Sequence, residues 1–467
     1  MILKNKRILL VGLGRLGGGV AAAQFFIEQG ARLTVSDALS EDILKNSLQK
    51  LKGLPITYIL GVQTPKNIHQ YDGIVCNQAV SIRSEVVHQA KKHNIPFFND
   101  FTLFLNLLNT QSHQPYIGVT GTRGKTTITT WVGHILSPAI VGGNIPRQGS
   151  FTVFKKITHT PQRPVVLELS SFQLEYIQKK MEGPRVAVIS NLYQDHLNRH
   201  GTMKEYVRCK SQIFLNQTKK DILILNADNA YTKEFLTFKP KAQIWMVSRK
   251  KLKRGVWGMY AQNDILYFQN TTGVQEIIRI PKSYKNHHTY NLMQALCAAR
   301  AYGKEWSQII QRVETLPQIP FRQEIVMQNK HYTVINDSAA TSPEGTVAAV
   351  TDCLPQKGPY ALICGGTDKQ LDFTHLARSI KKYVDPQRLF LLQGSGTQKL
   401  ITALQRERYI LVSENIHETL KELIITVQKK TSRGHIIFSP ACASFEKFKN
   451  EFDRGRKFTS LAKKYFM

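Results

Sequence analysis

The sequence predicts an α/β protein of three domains, and three observations carry that prediction. At 467 residues the chain is about three times the usual domain length, so each of three units can bury a core of its own. Apolar runs of strand length alternate with helical stretches along most of it, the pattern of parallel sheets covered by helices. Two glycine-rich turns each stand between a strand and a helix, as nucleotide-binding units require. The boundaries read as 1–97, 98–318 and 319–467.

In the first domain RILLVGL, RLTVSD, GIVCN and IPFFND read as strands, with GVAAAQFFIEQG as the first helix. An apolar helix, TLFLNLLN, and a polar stretch from Thr110 to Pro115 lead into YIGVTGTRGKTTITTWVGHIL, the second strand, loop and helix opening. The second domain continues through VVLELS, VAVISN and DILILN, passes a less regular stretch from about 240 to 285, and closes on the helical TYNLMQALCAARAYG. Leu316-Pro317 and Pro320 punctuate the next boundary. YTVINDS, YALICGG, RLFLLQG, YILVS and HIIFSP then read as the strands of a third α/β domain.

The composition, 42% hydrophobic and 21% charged, is that of an ordinary globular chain. No apolar run approaches the roughly 20 residues that span a bilayer, and the run from Ile8 to Leu13 is too short for a secretory signal and is interrupted by Arg15. The six cysteines have no CxxC pair and no zinc spacing. A cytoplasmic protein is expected. The net charge of +30 raises a nucleic-acid reading. However, pairs such as Lys91-Lys92, Lys250-Lys251 and Lys429-Lys430 are dispersed and lack interleaved aromatics, so no specific nucleic acid is expected.

Gly12-Leu13-Gly14-Arg15-Leu16-Gly17 follows a strand and opens a helix, with Asp37 at the end of the next strand. Such a Rossmann-like turn lets backbone N–H groups approach a diphosphate, while the acid can accept hydrogen bonds from a sugar or base. A lone GxGxxG is a weak signal, equally served by close packing of helix on strand. Gly118-Val119-Thr120-Gly121-Thr122-Arg123-Gly124-Lys125-Thr126-Thr127 is more specific. Its loop N–H groups can wrap phosphate oxygens, Lys125 can neutralise the β- and γ-phosphates, and the Thr126 hydroxyl can ligate Mg²⁺. Val119 breaks the longer GxxxxGK[ST] form, but the shorter TGTxGK[ST] form is intact. Glu168, ending VVLEL, and Asp195-His196, following VAVISN, stand at the ends of neighbouring strands, where a carboxylate and an imidazole can complete Mg²⁺ shells.

In order along the chain, TGTRGKTT, LELSSFQLE, DHLNRHG, HHTYNLMQALCAA, NDSAAT, GGTDKQLDF and SPACASFEKFKNEFDRG resemble the successive motifs of the Mur ligases. Within that family, SPACASFEKFKNEF and the amino-terminal domain look most like the members that add D-glutamate to UDP-N-acetylmuramoyl-L-alanine. The resemblance implies a P-loop ATPase-like central domain between two Rossmann-like domains, and ATP-driven amide formation in peptidoglycan synthesis by a monomer. It implies ATP held by Gly121, Thr122, Gly124, Lys125, Thr126, Thr127, Asn291, Arg322 and Asp337. Two Mg²⁺ ions are implied, one on Thr126 and Glu168 and the other served by His196, together with carbamylation of Lys210 by CO₂ to give a further metal ligand. The UDP-substrate is assigned to Gly14, Arg15, Leu16, Asp37, Asn144 and Gln173, and the incoming glutamate to Thr341, Lys369, Ser444 and Phe445.

The chain departs from the family at Ala339, where a lysine is frequent, at His288 and Phe321, at the turn Asn77-Gln78-Ala79-Val80, and at Thr102. Other readings make different predictions. Another Mur-type or folylpolyglutamate-type ligase would accept a different amino acid, a nucleic-acid-binding P-loop protein would bind in a salt-dependent way, and a nicotinamide oxidoreductase would bind NAD(P)H.

Overall fold

The structure is a computed structural model describing residues 3–15, 17–111, 114–145, 148–179, 181–281, 284, 287–353 and 360–467. Leu16 therefore lies outside the described residues. The chain forms two compact units, Met1–Leu316 and Pro317–Met467.

The first unit holds two sheets. The first consists of β1 (Arg7–Val11), β2 (Arg32–Asp37), β3 (Ile56–Leu60), β4 (Gly73–Cys76) and β5 (Phe97–Asn99), all parallel, in the order β3-β2-β1-β4-β5. β3 escapes the sequence reading because its residues are only half-buried and its apolar run is short. β1 and β4 sit at the centre and are almost wholly apolar, as parallel strands covered on both faces must be.

The second sheet has nine strands: β6 (Tyr116–Thr120), β7 (Ile140–Gly143), β8 (Val165–Glu168), β9 (Val186–Ile189), β10 (Ile222–Asn226), β11 (Gln243–Ser248), β12 (Trp257–Gln262), β13 (Ile265–Asn270) and β14 (Gly273–Arg279). Their order is β14-β13-β12-β11-β10-β9-β6-β8-β7. The stretch expected to be less regular thus carries strands. β13 pairs antiparallel with β12 and with β14, the turn between β12 and β13 is made by Asn263 and Asp264 at positive φ, and Trp245, Trp257 and Phe268 pack across the ladder.

One apolar core runs through both sheets. The Phe25 ring, on the helix Gly18–Glu28 after β1, stacks on Phe151 of the helix Ser150–His159 after β7, centroids 4.5 Å apart. Both belong to a single buried cluster reaching from Leu3 to Ala242. Hydrogen bonds from Ser170 to Gln78 and from Asn99 to the Phe172 and Gln173 carbonyls tie the first sheet to the segment that follows β8.

In the second unit β15 (Glu324–Gln328), β16 (Tyr332–Asn336), β17 (Tyr360–Cys364), β18 (Leu389–Leu392), β19 (Ile416–His417) and β20 (Gly434–Phe438) lie in the order β15-β16-β20-β17-β18-β19, with β15 antiparallel at the edge. The expected strand YILVS is not one. Tyr409 is buried, its hydroxyl donating to the Val384 carbonyl, and Leu411 packs partly buried against the same core, while Ile410 is 77% exposed; the run touches the core without pairing to a neighbouring strand. The pairing passes to β19.

No helix among the described residues is long and apolar enough to cross a membrane. The cysteines whose side chains are described are free and buried.

Candidate active site

The loop between β6 and the helix Lys125–Ile135 is shaped by glycines that admit no side chain. A Cβ on Gly121 would fall 1.9 Å from the Ser190 hydroxyl, and one on Gly124 would fall 2.3 Å from Oδ1 of Asn291. Neighbouring strand ends brace the loop. Thr122 N–H donates to the Asn191 carbonyl, Arg123 N–H to Asn191 Oδ1, and Ser190 Oγ to the Arg123 carbonyl. The result is a fixed cradle of backbone N–H groups at a helix start, suited to phosphate. Lys125 Nζ donates to the Thr122 carbonyl at 3.2 Å, which keeps the ammonium over the loop.

Thr126 Oγ1 donates to Glu168 Oε2 at 2.7 Å, and Asn144 Nδ2 donates to Glu168 Oε1 at 3.2 Å. The β6–β8 pairing sets Glu168 opposite Val119, at the mouth of the loop. A hydroxyl and a carboxylate in contact beside a phosphate cradle are hard oxygen donors, and they fit Mg²⁺.

Across the loop, His196 adopts a left-handed backbone conformation (φ 56°), an unfavourable state for a residue with a Cβ and one that functional sites retain. Its ring lies 5.0 Å from that of Phe172, and its Nε2 lies 3.7 Å from Asp195, which is also 3.8 Å from Arg123.

Lys210 comes from the helix Met203–Leu215 and is 1% exposed. Its Nζ donates to the Gly121 carbonyl (2.9 Å) and to Thr120 Oγ1 (3.3 Å) and lies over the Tyr206 ring. Burial, with the Lys125 charge as a second cause, lowers the pKa of the amine from 10.5 to about 7. Tyr206, one helical turn before Lys210, also shares a 3.3 Å contact with Thr122 Oγ1. Sequence reasoning passed over this residue, although the i, i+4 spacing of Tyr206 and Lys210 was the available signal.

In the first glycine turn, Asp37 closes the loop itself. Its Oδ2 accepts from Gly14 N–H at 2.9 Å and its Oδ1 from Leu39 N–H at 2.8 Å. Arg15 is exposed. Gln173 is fully buried, its Oε1 accepting from Ser170 N–H and Oγ in a capping box while its Nε2 contacts Asp100 at 3.4 Å. Asp100 was missed. Its Oδ2 also accepts from Ser150 and Gln78, and desolvation raises its pKa.

Glu175, His200 and Cys209 bring potential ligand atoms within 4.8 Å of one another. Each is already engaged, Glu175 by Arg199 and the other two by Ser171. Burial holds the His200 imidazole at about 4 and pushes the Cys209 thiol up to about 12. The trio reads as packing.

In the second unit Asp337 accepts from Gln323 N–H and from Ser439 Oγ. Arg322 lies between Phe321 and Gln323, both at positive φ. Lys369 Nζ donates to Thr341 Oγ1 at 3.3 Å, two residues beyond Ala339, so a lysine does approach the segment from which the frequent family lysine is missing. Ser444 is buried and Phe445 is 65% exposed. Asn291, from the first unit, lies against Gly124 as described above.

The family model described as the Mur ligase middle domain matches residues 119–299. A UDP-N-acetylmuramoylalanine–D-glutamate ligase from Roseiflexus sp. (strain RS-1) is 33% identical, with 100% of each chain covered. The chain belongs to the Mur ligase family. Ligases of the same description from Koribacter versatilis, 32% identical over 99% of this chain and 98% of the relative, and from Borreliella burgdorferi, 31% identical over 98% of each, are also similar to it. Solved Mur ligases share the fold. The UDP-N-acetylmuramate-alanine ligase of Thermotoga maritima superposes with a TM-score of 0.58 at 18% identity, covering 98% of this chain and 100% of that one. MurF from Acinetobacter baumannii gives 0.60 at 15%, covering 98% and 90%. As a Mur ligase, the protein is an ATP-dependent, Mg²⁺-using enzyme.

Proposed function

We propose that this Mur ligase joins D-glutamate to UDP-N-acetylmuramoyl-L-alanine in the cytoplasm, cleaving ATP to ADP and phosphate. The observation that carries this reading is the full-length similarity to D-glutamate ligases, 33% over the whole of both chains.

The Gly121–Thr127 cradle and Lys125 bind the triphosphate of ATP, with Asn291 beside the loop and Arg322 and Asp337 as further nucleotide contacts. Thr126 and Glu168 would hold one Mg²⁺ and His196 with Lys210 would serve a second, which would supply positive charge to offset that of the γ-phosphoryl group. Lys210 takes part as a carbamate. Its buried amine, with a pKa lowered to about 7, presents a neutral nitrogen lone pair that adds to CO₂ and releases a proton, turning a cation into a carboxylate.

The L-alanine carboxylate attacks the γ-phosphorus, ADP departs, and an acyl-phosphate results. Lys125 offsets the charge moving toward ADP. Glutamate sits in a pocket of Thr341, Lys369, Ser444 and Phe445 with Lys369 on its carboxylate, and its free amine attacks the carbonyl carbon and loses a proton. Phosphate leaves and the amide remains. Gly14, Arg15 and the Asp37-closed turn receive the uridine diphosphate, with Asn144 and Gln173 shaping the muramoyl end.

The test is phosphate release by purified protein with ATP, Mg²⁺ and UDP-N-acetylmuramoyl-L-alanine, which should require D-glutamate. Turnover supported instead by L-alanine, a diamino acid, or a folate with glutamate would reassign the substrate.

A further inference from the structure

Arg199 is one turn beyond His196, on the helix Leu197–His200, and its guanidinium reaches the turn after β4 in the first sheet. It donates to three successive carbonyls of the turn after β4: Ala79 (2.6 Å) and Val80 (2.8 Å), with a longer bond to Gln78 (3.3 Å). The same guanidinium pairs with Glu175 and lies 4.8 Å from the Phe172 ring centroid. Glu175 in turn accepts from Ile82 N–H, and Tyr176 adds a bond from its hydroxyl to the Val80 carbonyl.

The turn so gripped is the one that backs the first glycine loop. Asn77 Nδ2 donates to the Gly12 carbonyl at 3.1 Å, and a Cβ on Gly12 would fall 2.9 Å from the Asn77 Cβ. Any displacement of residues 78–80 therefore reaches the loop assigned to the diphosphate. Arg199 also shares Phe172 with the His196 ring, which lies 5.0 Å from it. Only a planar fork with five donors can satisfy three carbonyls and a carboxylate at once, and a lysine cannot reproduce it.

We infer that Arg199 is a positioning residue for the UDP-linked substrate, fixing the 78–80 turn behind the glycine loop and tying it to the segment that carries His196. This rests on the proposed D-glutamate ligation. Wild-type turnover is therefore measured first, and its absence would refute that reading separately from this one.

In Arg199→Lys the KM for UDP-N-acetylmuramoyl-L-alanine should rise about tenfold, while kcat and the KM for ATP stay within about threefold. A purely structural role would lower the thermal midpoint and the active fraction and leave that KM alone. An unchanged KM in the folded variant overturns the inference. Should Arg199→Lys fail to fold, Glu175→Gln decides the matter, since it keeps the guanidinium but loosens its anchor. A rise of about threefold in the same KM supports the positioning role, and no change refutes it.

Discussion

At the end of β1 the chain turns through Gly12, Gly14 and Gly17, and at the end of β6 through Gly121 and Gly124; all five have positive φ. Both turns lead from an interior strand with parallel neighbours into a helix, yet they are closed by different chemistry. A carboxylate closes the first, Asp37 accepting from Gly14 and Leu39. The second is surrounded by cations and metal-ligand types, with Lys125 over the loop, Lys210 beneath it and the Thr126–Glu168 contact at its mouth. A turn that only has to hold a ligand can be stabilised by its own acid. One that must transfer a phosphoryl group needs positive charge and hard oxygens around it.

The comparison breaks most severely if the second turn loses its charge. Lys125→Ala should lower kcat by about a thousandfold or more, read as phosphate release under saturating substrates; a variant within tenfold of wild type would remove Lys125 from the transition state. Next in size, Lys210→Ala should cost about a hundredfold, partly restored by small carboxylates such as acetate. Full activity without rescue would leave Lys210 a packing residue. For the first turn, Asp37→Asn should raise the KM for the UDP-substrate about tenfold with kcat nearly unchanged, and a fall in kcat alone would contradict a purely binding turn.

The smallest effect is on stability. The pKa of Lys210, about 7, lies below the ordinary 10.5, so the folded state penalises its charged form. Below pH 7 that penalty is fully present; between about 7 and 10.5 the unfolded chain binds more protons, and stability rises with pH. In CO₂-free buffer the urea midpoint of the wild type should therefore climb relative to Lys210→Met between pH 7 and 9. A constant difference would show that the ammonium is not desolvated.

Much of this was legible in the chain because the chemistry is local. The P-loop is contiguous from Gly121 to Thr127, and Glu168 and His196 follow strands whose apolar runs are unambiguous. β3, β7 and the β12–β14 meander were less legible, being short, half-buried or antiparallel at the edge of a parallel sheet. The contributions of Asp100, Glu175 and Arg199 were hidden for another reason. Each is an ordinary surface type in sequence, and its role exists only because the first two sheets share one core and bring residues 78–80 and 100 against 170–199.

Arg454 is fully buried in the second unit, with no carboxylate at ion-pair distance among the described residues, and desolvation lowers its pKa to about 10. Its bonds go to the Ser338 hydroxyl and carbonyl and to the carbonyls of Cys442 and Ala443. It thus welds NDSAAT to SPACAS, two segments about a hundred residues apart that carry Asp337 and Ser444. The residues proposed to contact nucleotide and amino acid are then mounted on one stiff plate. A change of amino-acid preference made by remodelling either segment's backbone must carry the other with it, whereas exchange of exposed side chains such as Phe445 leaves the plate intact.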